Sequence, residues 1–207
     1  MKRRKVGMAV IGTAVAVVAL GACSSANPGR AAVVGDAFVP ESTIAEQARQ
    51  LNELVGQPAD APNPELTRTL VSYNVGYELI GQTAATLQVT VPQSQLDLVY
   101  NQQVQQLGGE QQLQQAAAQQ GVPPGNLRRD LQTQLLATAI VNKIAPGGDP
   151  QAGQEILAQA VRQVAEGIDV EVAPKYGVWD SEQLQIVPDP EPVSRPEEKP
   201  APALPVP

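Results

Sequence analysis

Few side chains in this sequence could do covalent chemistry. Among its 207 residues there is no histidine and a single cysteine, Cys23. Imidazole bases, His-centred triads and His-rich metal sites are thereby excluded. No GxSxG, SxxK, GxGxxG or phosphate-loop spacing occurs. Acid–base work would fall to carboxylates such as Asp97, Glu110 and Glu155, and a helical carboxylate is usually a solvated charge. The sequence predicts a protein that is not an enzyme, with no catalytic residue, no metal and no cofactor. The remaining nucleophile of note is the Cys23 thiol.

The surroundings of that thiol give it a use. Lys2-Arg3-Arg4-Lys5 forms a basic head, Val6 to Ala22 carries no charge, and Ser24-Ser25-Ala26-Asn27-Pro28-Gly29 follows the cysteine. That order is how an export leader is built. The apolar part is short for a membrane span, which needs roughly 20 such residues. Leu20-Gly21-Ala22-Cys23 resembles the lipobox of bacterial lipoproteins. The resemblance implies a diacylglyceryl group on the Cys23 sulfur, cleavage between Ala22 and Cys23, and a lipid-anchored protein on the extracytoplasmic face of the cell membrane. Two acyl chains, at about 0.8 kcal/mol per buried methylene, hold where one is marginal. With Cys23 acylated no disulfide is available, so the fold must rest on its core.

Charge narrows the partners. Of 14 basic residues the leader carries four, so the mature chain keeps 10 against 21 acidic ones, a net charge of −11. Such a chain has no basic stripe for a phosphate backbone, and nucleic acid is not an expected partner. Contact with the membrane is expected through the lipid, because charge would not draw the protein to anionic headgroups.

The remaining sequence divides into a tether at 23–30, one domain at 31–187 and a proline-rich tail at 188–207, PDPEPVSRPEEKPAPALPVP, expected to be disordered with polyproline II character. The domain is long enough for a real core. AAVVGDAFV, at 31–39, reads as a short strand or small hairpin around Gly35-Asp36. Thr43 and Glu46 read as a capping box ahead of Ile44, Ala48, Leu51 and Val55, with Gly56 at the stop. Asn63-Pro64 caps a second helix carrying Leu66, Leu70, Tyr73, Tyr77, Ile80, Ala84 and Leu87 on one side and Val71, Val75 and Leu79 on another. A helix apolar on two sides is expected to be central.

Val89-Thr90-Val91 reads as brief and extended. Pro92 opens a third helix through Leu96, Tyr100 and Leu107, and Gly108-Gly109 breaks it. A glutamine-dense helix follows at 110–120. Pro123-Pro124 introduces a fifth, through Leu127 to Ile144. Asp149-Pro150 caps a sixth, through Ile156 to Gly167. Val170-Glu171-Val172 alternates as a strand, and KYGVWD reads as a turn holding the only tryptophan. Tyr73, Tyr77 and Tyr100 are the candidate peptide-binding residues. The glutamines from Gln93 to Gln120 are a candidate uncharged face, although glutamine is also a common helix-surface residue.

In this order the elements resemble the N-terminal chaperone domain of the SurA/PrsA family of exported foldases, related in fold to the peptide-binding part of trigger factor. AAVVGDAFVPESTIAEQARQL is similar to the family's opening strand and capped helix. LVSYNVGYELIGQTAATLQVTVPQSQLD is similar to its long helix and the link that follows. LGGEQQLQQAAAQQGVPPGNLRRDLQTQLL is the most specific match, and VEVAPKYGVWD is similar to the close of lipoprotein members without a parvulin module. Ile144 to Pro150 is too short to hold that module, so isomerase activity is not carried over. The resemblance implies a mostly α fold, a bundle or cradle of about six helices. In it, short terminal strands near Val33 and Val172 pair, and the last helix packs back on the first ones. It also implies a chaperone-like protein that binds unfolded or newly exported polypeptides without catalysis. The other reading is a cell-envelope lipoprotein serving one envelope protein as a dedicated scaffold partner.

Overall fold

The structure, a computed structural model, describes residues 29–149 and 152–189. Cys23, the cleavage site, the tether before Gly29, Pro150 and the tail from Pro190 lie outside the described residues. Among those described, the chain is mostly helical, with six α-helices and short antiparallel strands. No described helix is long and apolar enough to cross a membrane.

The chain opens on a hairpin, β1 (Arg30–Val34) and β2 (Ala37–Pro40). Gly35 takes the positive φ that the turn demands, at 58°. The register slips between Arg30 and Ala32, which breaks strict alternation, and Ala31, Ala32 and Val34 are all buried. Helix α1 (Glu41–Leu54) then begins earlier than the capping box requires. Pro40 occupies the cap without a side-chain bond, Thr43 already lies inside the helix, and the Glu41 N–H donates to the Gly29 carbonyl at 2.9 Å. With the helix already under way at Glu41, the Glu46 N–H lies beyond the first turn and needs no Thr43 hydroxyl, so the box is not used.

Helix α2 (Pro64–Thr86) starts as its residues predict: Asn63 Oδ1 accepts from the Leu66 N–H at 2.9 Å, and Pro64 follows. It is the axis of the molecule. Leu70, Val71, Val75 and Leu79 are fully buried on it, and α1, the sheet, α5 and α6 pack around it. Residues 89–91 form an irregular link and no strand. Beyond it, α3 (Gln93–Leu107) and α4 (Glu110–Gln119) fold back across Gly108 and Gly109, both at positive φ. A 3₁₀ turn (Pro124–Asn126) leads into α5 (Leu127–Ile144). Helix α6 runs over Gly153–Ala165, and the expected Asp149-Pro150 cap falls partly outside the described residues. It packs back on α2 and α5.

Strand β3 (Val170–Val172) returns to β1, pairing Ala32 with Val172 and Val33 with Glu171, so the three-stranded order is β2-β1-β3. The two ends of the domain are thus joined by backbone bonds. KYGVWD is more than a turn. Pro174–Tyr176 is a 3₁₀ turn, and β4 (Val178–Asp180) pairs with β5 (Gln185–Val187) in a second hairpin. Its loop is built by Asp180, whose Oδ1 accepts from the Glu182 and Gln183 N–H groups, both at 2.9 Å. Unlike Val170-Glu171-Val172, neither VWD nor QIV alternates apolar with polar residues.

Apolar side chains gather in three clusters. The main one joins the sheet, α1, α2, α6 and the second hairpin. A second, with Leu96, Tyr100, Leu113 and Leu131, unites α3, α4 and the start of α5. The third, around Ala84, Val89 and Ile140, closes α2 on α5 and α6.

Candidate functional site

Two open grooves run along α2, walled by different partners. The first, about 610 Å³, lies between the Arg68–Ile80 face of α2 and strand β5, with Leu184 and Pro188 at its rim. Helical spacing puts Tyr73 and Tyr77 one turn apart on this wall. Tyr73 is 38 % exposed. Tyr77 is nearly buried, its hydroxyl donating to Asp130 at 3.1 Å while the Arg129 guanidinium lies 5.0 Å from its ring. Burial raises the Tyr77 hydroxyl well above the ordinary phenol range, and the Asp130 carboxylate raises it further.

Tyr100 stands apart from these two. It belongs to the α3–α4 cluster and lines neither groove. Its hydroxyl donates to Glu110 at 2.9 Å, and the Arg128 guanidinium sits 4.3 Å from its ring. Burial, then the Glu110 bond, raises its pKa. Arg128 donates on to Asp97 at 2.6 Å, which holds that carboxyl below its usual range. Glu155 meets Arg162 at 3.2 Å. The three carboxylates noted in the sequence are therefore paired with neighbours, and none of them lines a groove. The glutamines from Gln93 to Gln120 also stay on the surface of α3 and α4, outside both grooves.

The second groove is the feature that the sequence reading missed. It is about 780 Å³, formed by the C-terminal half of α2, the end of α5 and one face of α6. None of the eleven described residues that line it carries a charge. Its floor includes Leu87, Ile156, Val164 and Ile168, and its rim carries the exposed amides of Gln159 and Gln163. Ile144 at its end is 46 % exposed. The signal in the sequence was faint: α6 alternates apolar residues with glutamines on two adjacent faces, and only packing decides which face stays open.

A buried polar network was also missed. Asn74, fully buried, donates through Nδ2 to Gln47 Oε1 and to the Leu70 carbonyl, each at 2.8 Å, and its Oδ1 accepts from Arg129 at 3.3 Å. Arg129 in turn pairs with Glu78. This network ties α1, α2 and α5 together behind the tyrosine groove. No group of three or more Cys, Asp or Glu among the described residues is placed to hold a metal ion.

The titrating groups set a pH profile. With no histidine in the chain, little titrates between about pH 5 and 9. Asp97 has a lowered folded pKa, so its contribution is present above its unfolded value near 3.9 and is lost as pH falls through the folded one. Tyr77, Tyr100 and Tyr176 have raised folded values. Their protonated form is favoured by folding, and that contribution is lost as pH rises beyond the unfolded value near 10. Urea midpoints measured from pH 3 to 11 should form a plateau with two falling edges. A midpoint that slopes steadily from pH 6 to 8 would contradict these assignments.

No family model, no curated protein and no solved structure matches the chain. What the protein does has to be argued from its own surfaces.

Proposed function

We propose that the protein is a lipid-anchored, extracytoplasmic holder of unfolded or newly exported polypeptides, working without catalysis. The leader and Cys23 supply the anchor and the location. The charge-free groove between α2, α5 and α6 is the observation that carries the reading. An apolar floor takes side chains of many shapes. A rim of glutamine amides offers both donors and acceptors to any main chain, and with no charge among the described lining residues no ion pair within the groove selects the sequence. At about 780 Å³ it falls within the usual range of binding pockets, roughly 300–1,000 Å³. Open apolar surface of this kind favours weak, reversible capture.

The test is suppression of aggregation of a chemically denatured client without ATP. The protein at several-fold excess should protect, and Ile144→Glu should cut protection several-fold by charging the end of the groove. Leu98 on α3, 58 % exposed and outside both grooves, serves as control: Leu98→Glu should leave protection unchanged. No protection by the parent protein would sink the proposal. Crosslinking in the native envelope that yields one stoichiometric partner would move the reading to the dedicated scaffold.

A further inference from the structure

The tyrosine groove has a wall that ends in an unusual stretch of chain. Strand β5 stops at Val187, Pro188 already forms part of the groove's rim, and 18 residues follow after Asp189, seven of them proline. The groove offers aromatic and aliphatic surface from Tyr73, Tyr77, Ile80, Leu184 and Ile186. Aromatic-lined grooves are where polyproline II segments dock, because proline rings stack on flat apolar faces and the ligand is already ordered.

Backbone chemistry at the groove points the same way. An extended strand could add to β5 only by bonding its outer edge, and the Ile186 N–H on that edge already donates to Ser72 Oγ at 3.2 Å. The groove therefore favours an occupant that asks for few main-chain bonds. Proline, lacking an N–H, meets that condition.

Reach is ample. From Glu65 to Ile80 the lining face of α2 covers about 22 Å at 1.5 Å per residue. About seven polyproline II residues at 3.1 Å each span that distance. The 18 residues beyond Asp189 are enough for a return path and full coverage. A short tether also places the segment at an effective concentration in the millimolar range, so a weak contact suffices.

We propose that residues 190–207 dock into the tyrosine groove of their own chain. The groove is then self-occupied, and the charge-free groove is the one left open to other polypeptides. This assignment stands whether or not the charge-free groove holds clients.

Photocrosslinking on the full chain tests it. Tyr73 is replaced by the photoreactive p-benzoylphenylalanine, and the adduct is mapped by mass spectrometry. The expected product joins α2 to residues 190–207 within one chain, in a yield independent of protein concentration. A synthetic peptide of residues 188–207 should halve that yield at about the effective concentration, in the millimolar range. The same probe at Leu98 should give no tail adduct. An adduct whose yield grows with protein concentration would assign the groove to a second copy's tail and overturn the intramolecular docking. Absence of any tail adduct at position 73, or equal tail adducts at 73 and 98, would overturn it outright.

Discussion

Gly177→Ala should detach the C-terminal hairpin and cost about 3–5 kcal/mol, the sum of a strained backbone and a steric overlap. Gly177 has φ at 118°, outside the range an L side chain tolerates. A Cβ there would be driven into the carbonyl of Val187, a backbone atom with no rotamer to yield. Val187 is the cross-strand partner of Val178, so the overlap falls inside the β4–β5 ladder itself. Trp179 of β4 packs on the main apolar cluster, and it is the only tryptophan in the chain. Its emission should shift to the red in the variant, alongside a lowered urea midpoint. Unchanged emission and midpoint would show that the hairpin accommodates a side chain there. Because β5 is one wall of the tyrosine groove, the same variant should also abolish the tail crosslink.

Asn74→Leu should cost about 2–4 kcal/mol, since it leaves Gln47, 4 % exposed, and one Arg129 donor without the partner each now has. Leucine keeps asparagine's branching but is bulkier, so at this fully buried position some overpacking adds to the loss from unmade hydrogen bonds. Gln47→Leu alone removes one acceptor of the Asn74 amide, which keeps its bonds to the Leu70 carbonyl and to Arg129, so it should cost less than Asn74→Leu. The double variant removes both polar groups together, and replacing a buried pair by apolar groups is often close to neutral. It should therefore recover about 1–2 kcal/mol relative to the sum of the single changes. Equilibrium urea unfolding of the four proteins gives the coupling directly. Strict additivity would mean that the network does not act as a unit.

Helix existence was legible because its signals are local. The Asn63-Pro64 start of α2 needs a side-chain bond three residues away, and the Gly108-Gly109 break needs only φ values that other residues avoid. The 3.6-residue apolar spacing of α2 likewise reports burial on more than one side, as found for Leu70, Val71, Val75 and Leu79. The start of α1 was misread for the converse reason. Its first N–H is satisfied by Gly29, twelve residues upstream, so the local Thr43–Glu46 pattern was outvoted by a contact across the hairpin. The β4–β5 hairpin escaped notice because VWD and QIV show no apolar alternation and the hairpin is held by packing on the main cluster and by Ser72, 114 positions away from Ile186.

The candidate site divides along the same line. Tyr73, Tyr77 and Tyr100 are equivalent as residues in a periodic pattern, and nothing in their spacing says which ring stays open. Packing separates them: Tyr73 and Tyr77 line a groove because β5 arrives opposite α2, but only Tyr73 stays well exposed, while Tyr77 and Tyr100 are equally buried and bonded to Asp130 and Glu110. By itself, then, the sequence determined the helical class, the breaks between helices, and the absence of histidine chemistry, since propensity, capping and composition act within a few residues. Only the tertiary structure decided where grooves remain, which polar groups lie buried between helices and which tyrosines face outward. Those outcomes depend on which faces of distant segments meet, and a face is left open only where no other segment arrives to cover it.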